Sequence, residues 1–272
     1  MIVDFDHVTQ IIRRVAAEEI MPRFQKLAAG DIMEKSPGDL VTTADIKAEF
    51  ALTQHLKECL PNSHVIGEEA ASRTPDILSL LSSSEPIWIV DPVDGTRNFT
   101  QGNNHFGSIV ALIYRHQVIG GWIHDPVRDQ TAVIRKGEGV TLNNTPITVS
   151  FPEIFEELII RLNLTDRKAV SSQAPILTNL QPRHGACAHD YLSFLSGKTH
   201  AVHFKGTLYP WDHAAGCLMM KELGFYLKLI RPDQITLDYA PHVHPQTRLL
   251  ITPTEKFWQP LNTLLTPKET AA

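Results

Sequence analysis

Trp88-Ile89-Val90-Asp91-Pro92-Val93-Asp94-Gly95-Thr96-Arg97-Asn98-Phe99 is the stretch that decides how this chain is read. The run from Ile87 to Val90 is apolar and β-branched, as a buried strand requires, and it stops at two aspartates three residues apart. Carboxylates at that spacing repel each other. A fold keeps them when positive charge sits between them, or when they cap a turn. Pro92 fixes its own φ and donates no N–H, so it stiffens the chain between the acids. Gly95 lets backbone approach a ligand closely. Thr96 places a hydroxyl at a helix start, where N–H groups and the helix dipole favour phosphate. The plainer alternative is that Asp94-Gly95 is an ordinary turn.

Two further acidic stretches stand where an element ends or begins. Glu68-Glu69 follows Gly67, and Asp212 follows Trp211 at the start of a helix. Taken singly, each acid reads as a cap or turn residue. Taken together, they need several coincidences. Oxygen-only ligands select hard cations such as Mg2+, Mn2+ or Ca2+.

The rest of the chain alternates helices and strands. Val8, Ile11, Ile12, Val15, Ile20, Phe24 and Leu27 have helical spacing over Asp6 to Ala29, with a kink at Pro22 and a stop at Gly30. Lys35 to Asp39 is a turn. Thr42 and Asp45 have capping-box spacing and open a helix to Cys59. His64 to Ile66 is a strand, and Asp76 to Leu81 a weak helix. Ser108 to Tyr114 and Val118 to His124 form a hairpin around Arg115-His116, and Thr131 to Arg135 pairs next. Beyond a boundary near Pro146 to Pro152, Leu158 to Leu162 is a strand. Asp166 to Leu180 and Gly185 to Leu195 are helical, and His200 to Phe204 is a strand. Asp212 to Leu223 is a helix stopped by Gly224, and short strands run on to Thr252. The hairpin signals favour antiparallel-rich α/β layers over a doubly wound sheet. The expected organisation is an N-terminal lobe, residues 1–150, and a C-terminal lobe, residues 151–272, working as one catalytic unit.

The totals are consistent with that. The chain has 272 residues, 43 % of them hydrophobic, enough for a large core. A net charge of −5 offers no basic footprint for nucleic acid. No apolar run reaches the roughly 18 residues of a membrane span. Cys59, Cys187 and Cys217 are never spaced as CxxC, so they read as reduced thiols of a cytoplasmic protein. None of the thirteen histidines, the His242/His244 pair included, has zinc-site spacing.

Gly67-Glu68-Glu69, Asp91-Pro92-Val93-Asp94-Gly95-Thr96 and Trp211-Asp212-His213-Ala214-Ala215-Gly216, in that order, resemble the three signatures of the inositol monophosphatase family, which are lithium-sensitive, Mg2+-dependent phosphatases. Lys35 to Thr42 with Asp45 resembles its N-terminal block, and the likeness runs from about residue 6 to 253. The resemblance implies a layered αβαβα sandwich, an α/β (α+β) fold of the inositol monophosphatase and fructose-1,6-bisphosphatase type, usually homodimeric. It also implies a metal pattern, with Mn2+ a possible substitute for Mg2+. One ion falls on Glu68, Asp91 and the Val93 carbonyl, and a second on Asp91, Asp94 and Asp212. A third, weaker ion lies near Glu68 and Glu69. The resemblance gives Thr96 the attacking water, with Asp45 behind it to accept the proton. The N–H groups of Gly95 and Thr96 would cradle phosphate, and Gly185-Ala186-Cys187 would form a substrate-facing helix start.

The sequence departs from that pattern where inositol-selective members carry an acid shortly before the Trp-Asp motif. Counting back from Asp212 lands on Lys205, or on Phe204 if one residue is inserted. No acid lies between Tyr191 and Trp211. His184 and His203 are expected to flank the same pocket. The expected substrates are therefore small phosphate monoesters, such as sugar, polyol or inositol phosphates. The alternatives are a 3′-phosphonucleotide, histidinol phosphate or fructose 1,6-bisphosphate. A different class of role, an interaction module for the transcription machinery, also fits the resemblance.

Overall fold

In a computed structural model, the protein is described over residues 3–231, 235–236 and 240–266. A two-stranded hairpin, β1 (Ile32–Ser36) and β2 (Asp39–Thr42), follows the first helix, α1 (Phe5–Val15). A seven-stranded sheet has its strands in chain order: β3 (His64–Gly67), β4 (Ile87–Asp94), β5 (Gly107–Tyr114), β6 (Gln117–Asp125), β7 (Gln130–Arg135), β8 (Gly139–Leu142) and β9 (Thr145–Pro146). Only the β3–β4 pair is parallel. The six-stranded second sheet contains β10 (Ile160–Leu162), β11 (Leu180–Pro182), β12 (Ala201–Leu208), β13 (Tyr226–Ile230), β14 (Ile235–Thr236) and β15 (His244–Thr252). Its order is β11-β10-β12-β15-β13-β14. The remaining helices are α2 (Thr43–Cys59), α3 (Glu68–Arg73), α4 (Thr96–Thr100), α5 (Leu164–Gln173), α6 (Cys187–Leu195), α7 (Pro210–Glu222) and α8 (Glu255–Leu265).

Strand alternation sorts the apolar residues into three cores and so stacks the layers. In β4, Trp88 and Val90 face α1 and α2, whereas Ile87 and Ile89 face the opposite core. That central core is filled by α6 and α7 (Tyr191, Phe194, Ala215, Met219) and is closed by Phe204, Leu249 and Ile251 of the second sheet. Leu250 points the other way, into a third core with Val170 of α5 and with Phe257, Trp258 and Leu261 of α8. The order is helices, sheet, helices, sheet, helices, the αβαβα sandwich expected from the sequence.

Several elements end elsewhere than expected. The first helix does not run to Ala29. It widens into a π-helical turn, Ala16–Ile20, and stops before Pro22, which cannot continue the ladder. α5 stops at Gln173, two residues before Pro175. Leu180, the expected end of that helix, instead opens β11, which pairs with β10. β4 does not end at Val90 but continues through both aspartates. Its register against β5 slips between Asp91 and Asp94, three steps on β4 against two on β5. This bulge is where a central strand tolerates a proline.

Among the described residues, no helix is long and apolar enough to cross a membrane.

Candidate active site

The bulge in β4 aims its acids into one pocket. Asp91 is 2 % exposed and Asp94 6 %. With Asp212, at the start of α7, they bring carboxylate oxygens within 4.8 Å of one another. Asp212 reaches them because α7 lies unusually close to its neighbours. A Cβ on Gly216 would stand 2.3 Å from the Tyr191 ring, and one on Gly121 of β6 would stand 2.7 Å from Ala215 Cβ. The small residues of Ala214-Ala215-Gly216 are therefore a packing requirement that seats Asp212.

Asp94 has a second attachment. The Cys187 and Ala188 amides, at the start of α6, donate to its two oxygens at 3.0 and 2.6 Å. The expected phosphate loop sits beside this contact. Gly95 has φ +87°, and a Cβ there would meet Ala186 Cβ at 2.8 Å and the His105 carbonyl at 3.0 Å, so only glycine fits. The Asn98 amide donates to the carbonyls of His105 (2.6 Å) and His184 (2.9 Å), which fixes the turn before Gly185. Gly185, buried Ala186 and half-buried Cys187 thus border Gly95 and Asp94.

Thr96 and Asp45 meet as expected. The Thr96 hydroxyl lies 3.0 Å from Asp45 Oδ1 and 3.1 Å from the fully buried Val93 carbonyl. The other Asp45 oxygen accepts from the Thr42 amide (2.9 Å) and hydroxyl (2.5 Å), the expected capping box.

Glu68 and Glu69 start α3. Glu68 stands outside the aspartate trio, and Glu69 is 2 % exposed. Lys35, which no motif spacing marks for a role, donates to Glu68 (2.6 Å) and Glu69 (3.0 Å). An internal ammonium therefore stands where the resemblance places the third ion. Glu49 was also missed. It accepts from the Glu69 (2.7 Å) and Ala70 (2.8 Å) amides and so caps α3. Gly67 permits this, because a Cβ there would stand 2.2 Å from Glu49 Oε2. The signal was available, since Glu49 lies one helical turn beyond Asp45 on the same face of α2.

The electrostatics are those of a site short of positive charge. Burial, then Glu68, Asp94 and Asp212, push the Asp91 carboxyl well above the carboxylate range. Burial and the Asp94 charge do the same to Asp212. Burial raises Asp94 to about 7 against its two amide donors, Asp45 to about 6, and Glu69 to about 8 with help from Glu68. For Lys35, burial disfavours the ammonium, but Glu68 and Glu69 outweigh it and hold the group above the ordinary lysine range. Asp91 Oδ1 is buried and accepts no hydrogen bond from any described residue. An orphaned carboxylate oxygen among clustered acids, with oxygen donors only, suits a hard divalent cation.

The two candidates for the selectivity position separate cleanly. Phe204 is 1 % exposed, stacked on Tyr191 and covered by the Arg183 guanidinium at 4.2 Å. It belongs to the central core, and the expectation that it faces substrate is corrected. Lys205, on the opposite face of β12, keeps its side chain 42 % exposed and pairs with Asp166 at 2.7 Å. His203 is buried and also bonds Asp166, so it does not flank the pocket. His184 immediately precedes the Gly185–Cys187 turn, and its carbonyl accepts from Asn98. Its amide and Nδ1 both donate to buried Asp190 at 3.0 Å, and Arg183 Nε donates to the same residue at 2.8 Å.

Fold and site together define a layered α/β protein whose carboxylate pocket lies at a strand bulge between two helix starts. The chain belongs to the inositol monophosphatase family, whose pattern matches residues 4–265, and membership supports phosphatase activity. It is 32 % identical to inositol monophosphatase 1 of Solanum lycopersicum over 71 % of this chain and 73 % of that protein. It is 28 % identical to the Nus factor SuhB of Pseudomonas aeruginosa over 78 % and 80 %. The solved inositol monophosphatase-II of Staphylococcus aureus shares the fold, with TM-score 0.77, 21 % identity and 96 % and 92 % coverage.

Proposed function

We propose that this protein is a Mg2+-dependent phosphatase of small phosphate monoesters. The observation that carries the proposal is the orphaned, buried Asp91 oxygen, set among Asp94 and Asp212 beside the Thr96–Asp45 pair. Glu68, Asp91, Asp94, Asp212 and the Val93 carbonyl would hold two ions. Lys35 already supplies charge between Glu68 and Glu69, so two ions rather than three would complete the site. When bound, such ions supply Lewis-acid charge to the phosphoryl oxygens and acidify the attacking water.

The chain's own groups do the rest. The Thr96 hydroxyl points its proton at Asp45 and keeps a lone pair for the proton of the water it positions. Asp45, clamped by Thr42 and raised to about 6, accepts a proton near neutral pH. The Gly95 and Thr96 amides would hold the phosphate, and the Gly185–Cys187 turn would border the alcohol portion. We assign catalytic roles to Thr96, Asp45 and Glu69, the last by orienting Lys35 and Glu68. The lobes 1–150 and 151–272 act as one unit, since Asp212 comes from the second. In this reading the protein acts as a cytoplasmic homodimer.

Selectivity is proposed to follow Lys205. An inositol clamp needs an acceptor for vicinal hydroxyls, and Lys205 can only donate. Inositol 1-phosphate should gain no large preference over other monoesters. If Lys205 leaves Asp166, to which it is bonded at 2.7 Å, and faces the pocket, a second phosphate, as in fructose 1,6-bisphosphate or a 3′-phosphonucleotide, should gain from the lysine. A panel of mono- and bisphosphates with released phosphate as readout tests this. Lys205→Ala should lower kcat/KM several-fold for a bisphosphate and leave a monophosphate nearly unchanged. Strong preference for inositol 1-phosphate in both proteins would mean that the hydroxyls are held elsewhere. One relative is named a Nus factor, which favours a second role as a transcription-machinery partner. A pulldown with the Asp94→Asn variant, in which catalysis is removed, tests that role.

A further inference from the structure

We propose that Cys187, Asp212 and His213 form a binding site for a borderline-soft divalent metal, zinc above all, at the edge of the carboxylate pocket. One ligand atom from each, sulfur, carboxylate oxygen and ring nitrogen, lies within 4.8 Å of the other two. Cys187 and Asp212 are half-buried and so reachable, while His213, 2 % exposed, forms the inner wall. No spacing rule announces the trio, because Cys187 opens α6 and the other two open α7. Only the packing of these helix starts brings them together.

The donor set discriminates between metals. Thiolate and imidazole favour zinc over the hard cations that suit Asp91 and Asp94. Zinc bonds of 2.0–2.3 Å place tetrahedral ligands about 3.3–3.8 Å apart, so entry needs a contraction of at most about 1.5 Å. The surroundings hold the donors in place. The Cys187 amide is fixed on Asp94 at 3.0 Å. The Arg183 guanidinium donates to Cys187 Sγ at 3.6 Å, but its charge is committed to Asp190. The Tyr191 hydroxyl lies 2.9 Å from His213 Nδ1, and a hydrogen bond at that nitrogen orients the ring. On binding, the Cys187 thiol loses its proton to solvent as the sulfur–metal bond forms, and nothing is oxidised or reduced. Asp212 also belongs to the proposed hard-cation pair, so zinc competes for it and inhibits turnover. That consequence rests on the phosphatase reading; the site itself does not.

Co2+ added to the metal-free full-length protein is the probe. The expected result is a thiolate-to-cobalt charge-transfer band with tetrahedral d–d absorption and at least one proton released per ion. Cys187→Ser should remove the band, and His213→Gln should weaken binding at least tenfold. X-ray absorption at the zinc edge of the wild-type protein needs no variant and should show one sulfur at about 2.3 Å. An oxygen-only shell, or a charge-transfer band that persists in Cys187→Ser, would overturn the site. With Mg2+ fixed, the half-inhibiting Zn2+ concentration should rise at least tenfold in Cys187→Ser. A cobalt–thiolate band without zinc inhibition would establish the site and overturn the sharing of Asp212.

Discussion

Asp94 meets three demands at once: it ends the bulge in β4, accepts two amides from α6, and faces Asp91 and Asp212. Asp94→Asn removes the charge but keeps one acceptor oxygen. It should lower kcat by orders of magnitude while the fold persists. Glu156→Gln, on an exposed turn, should change nothing, and equal kinetics for the two variants would contradict the site. For Thr96, replacement by Ala should lower kcat and kcat/KM together by roughly 10²–10⁴-fold, because the hydroxyl acts in the transition state. Thr96→Ser should retain much of the rate. Ala and Ser variants that behave alike would reduce Thr96 to a helix-start residue. Much at this level was legible, because Asp91, Asp94, Thr96 and Asp212 sit in compact motifs whose chemistry shows in their residue types. Glu49 was signalled only by its spacing one turn beyond Asp45, whereas Lys35 and the enclosed position of Phe204 depend on contacts across elements that no spacing encodes.

The helix starts and the bulge carry the geometry. α7 can seat Asp212 only if Gly216 stays small. Gly216→Ala puts a methyl into the Tyr191 ring and should cost about 1–3 kcal/mol, read from the urea midpoint. Gly30→Ala, with nothing within 4 Å, should stay within about 0.5 kcal/mol of the parent. Element identity was readable where local chemistry decides it, as in the Thr42–Asp45 capping box and the hairpin at Arg115-His116. It was not readable where tertiary contacts override local preference. β4 passes through Pro92 because a bulge absorbs it. α8 went unread because Pro260 lies inside it, a residue that ordinarily argues against a helix. β11 became a strand only because β10 offers it a partner.

The two sheets and the helices between them bury a cluster of acids, and the metal-free protein should register that cost. Raised acids favour the protonated form when folded. Their stabilisation is present at low pH and is lost as pH rises from the ordinary carboxylate range through about 6, 7 and 8, the values for Asp45, Asp94 and Glu69. With EDTA, Tm should fall from about pH 7 to pH 8.5, above the range in which the buried histidines, held neutral in the fold, protonate on unfolding and act in the opposite sense. The gain from added Mg2+ should grow over the same interval as protons cease to compete. A metal-free Tm that rises steadily with pH would contradict this. The layered architecture was legible in the alternation of helical and strand patterns and in the family's motifs, whereas the three-core partition needed the register of each strand. The most direct test is phosphate release from a small monoester by protein stripped with EDTA and then titrated with Mg2+. The expected result is no turnover when stripped and full recovery with Mg2+ in the parent, but not in Asp94→Asn. Undiminished turnover in EDTA would contradict a metal-dependent site at Asp91, Asp94 and Asp212.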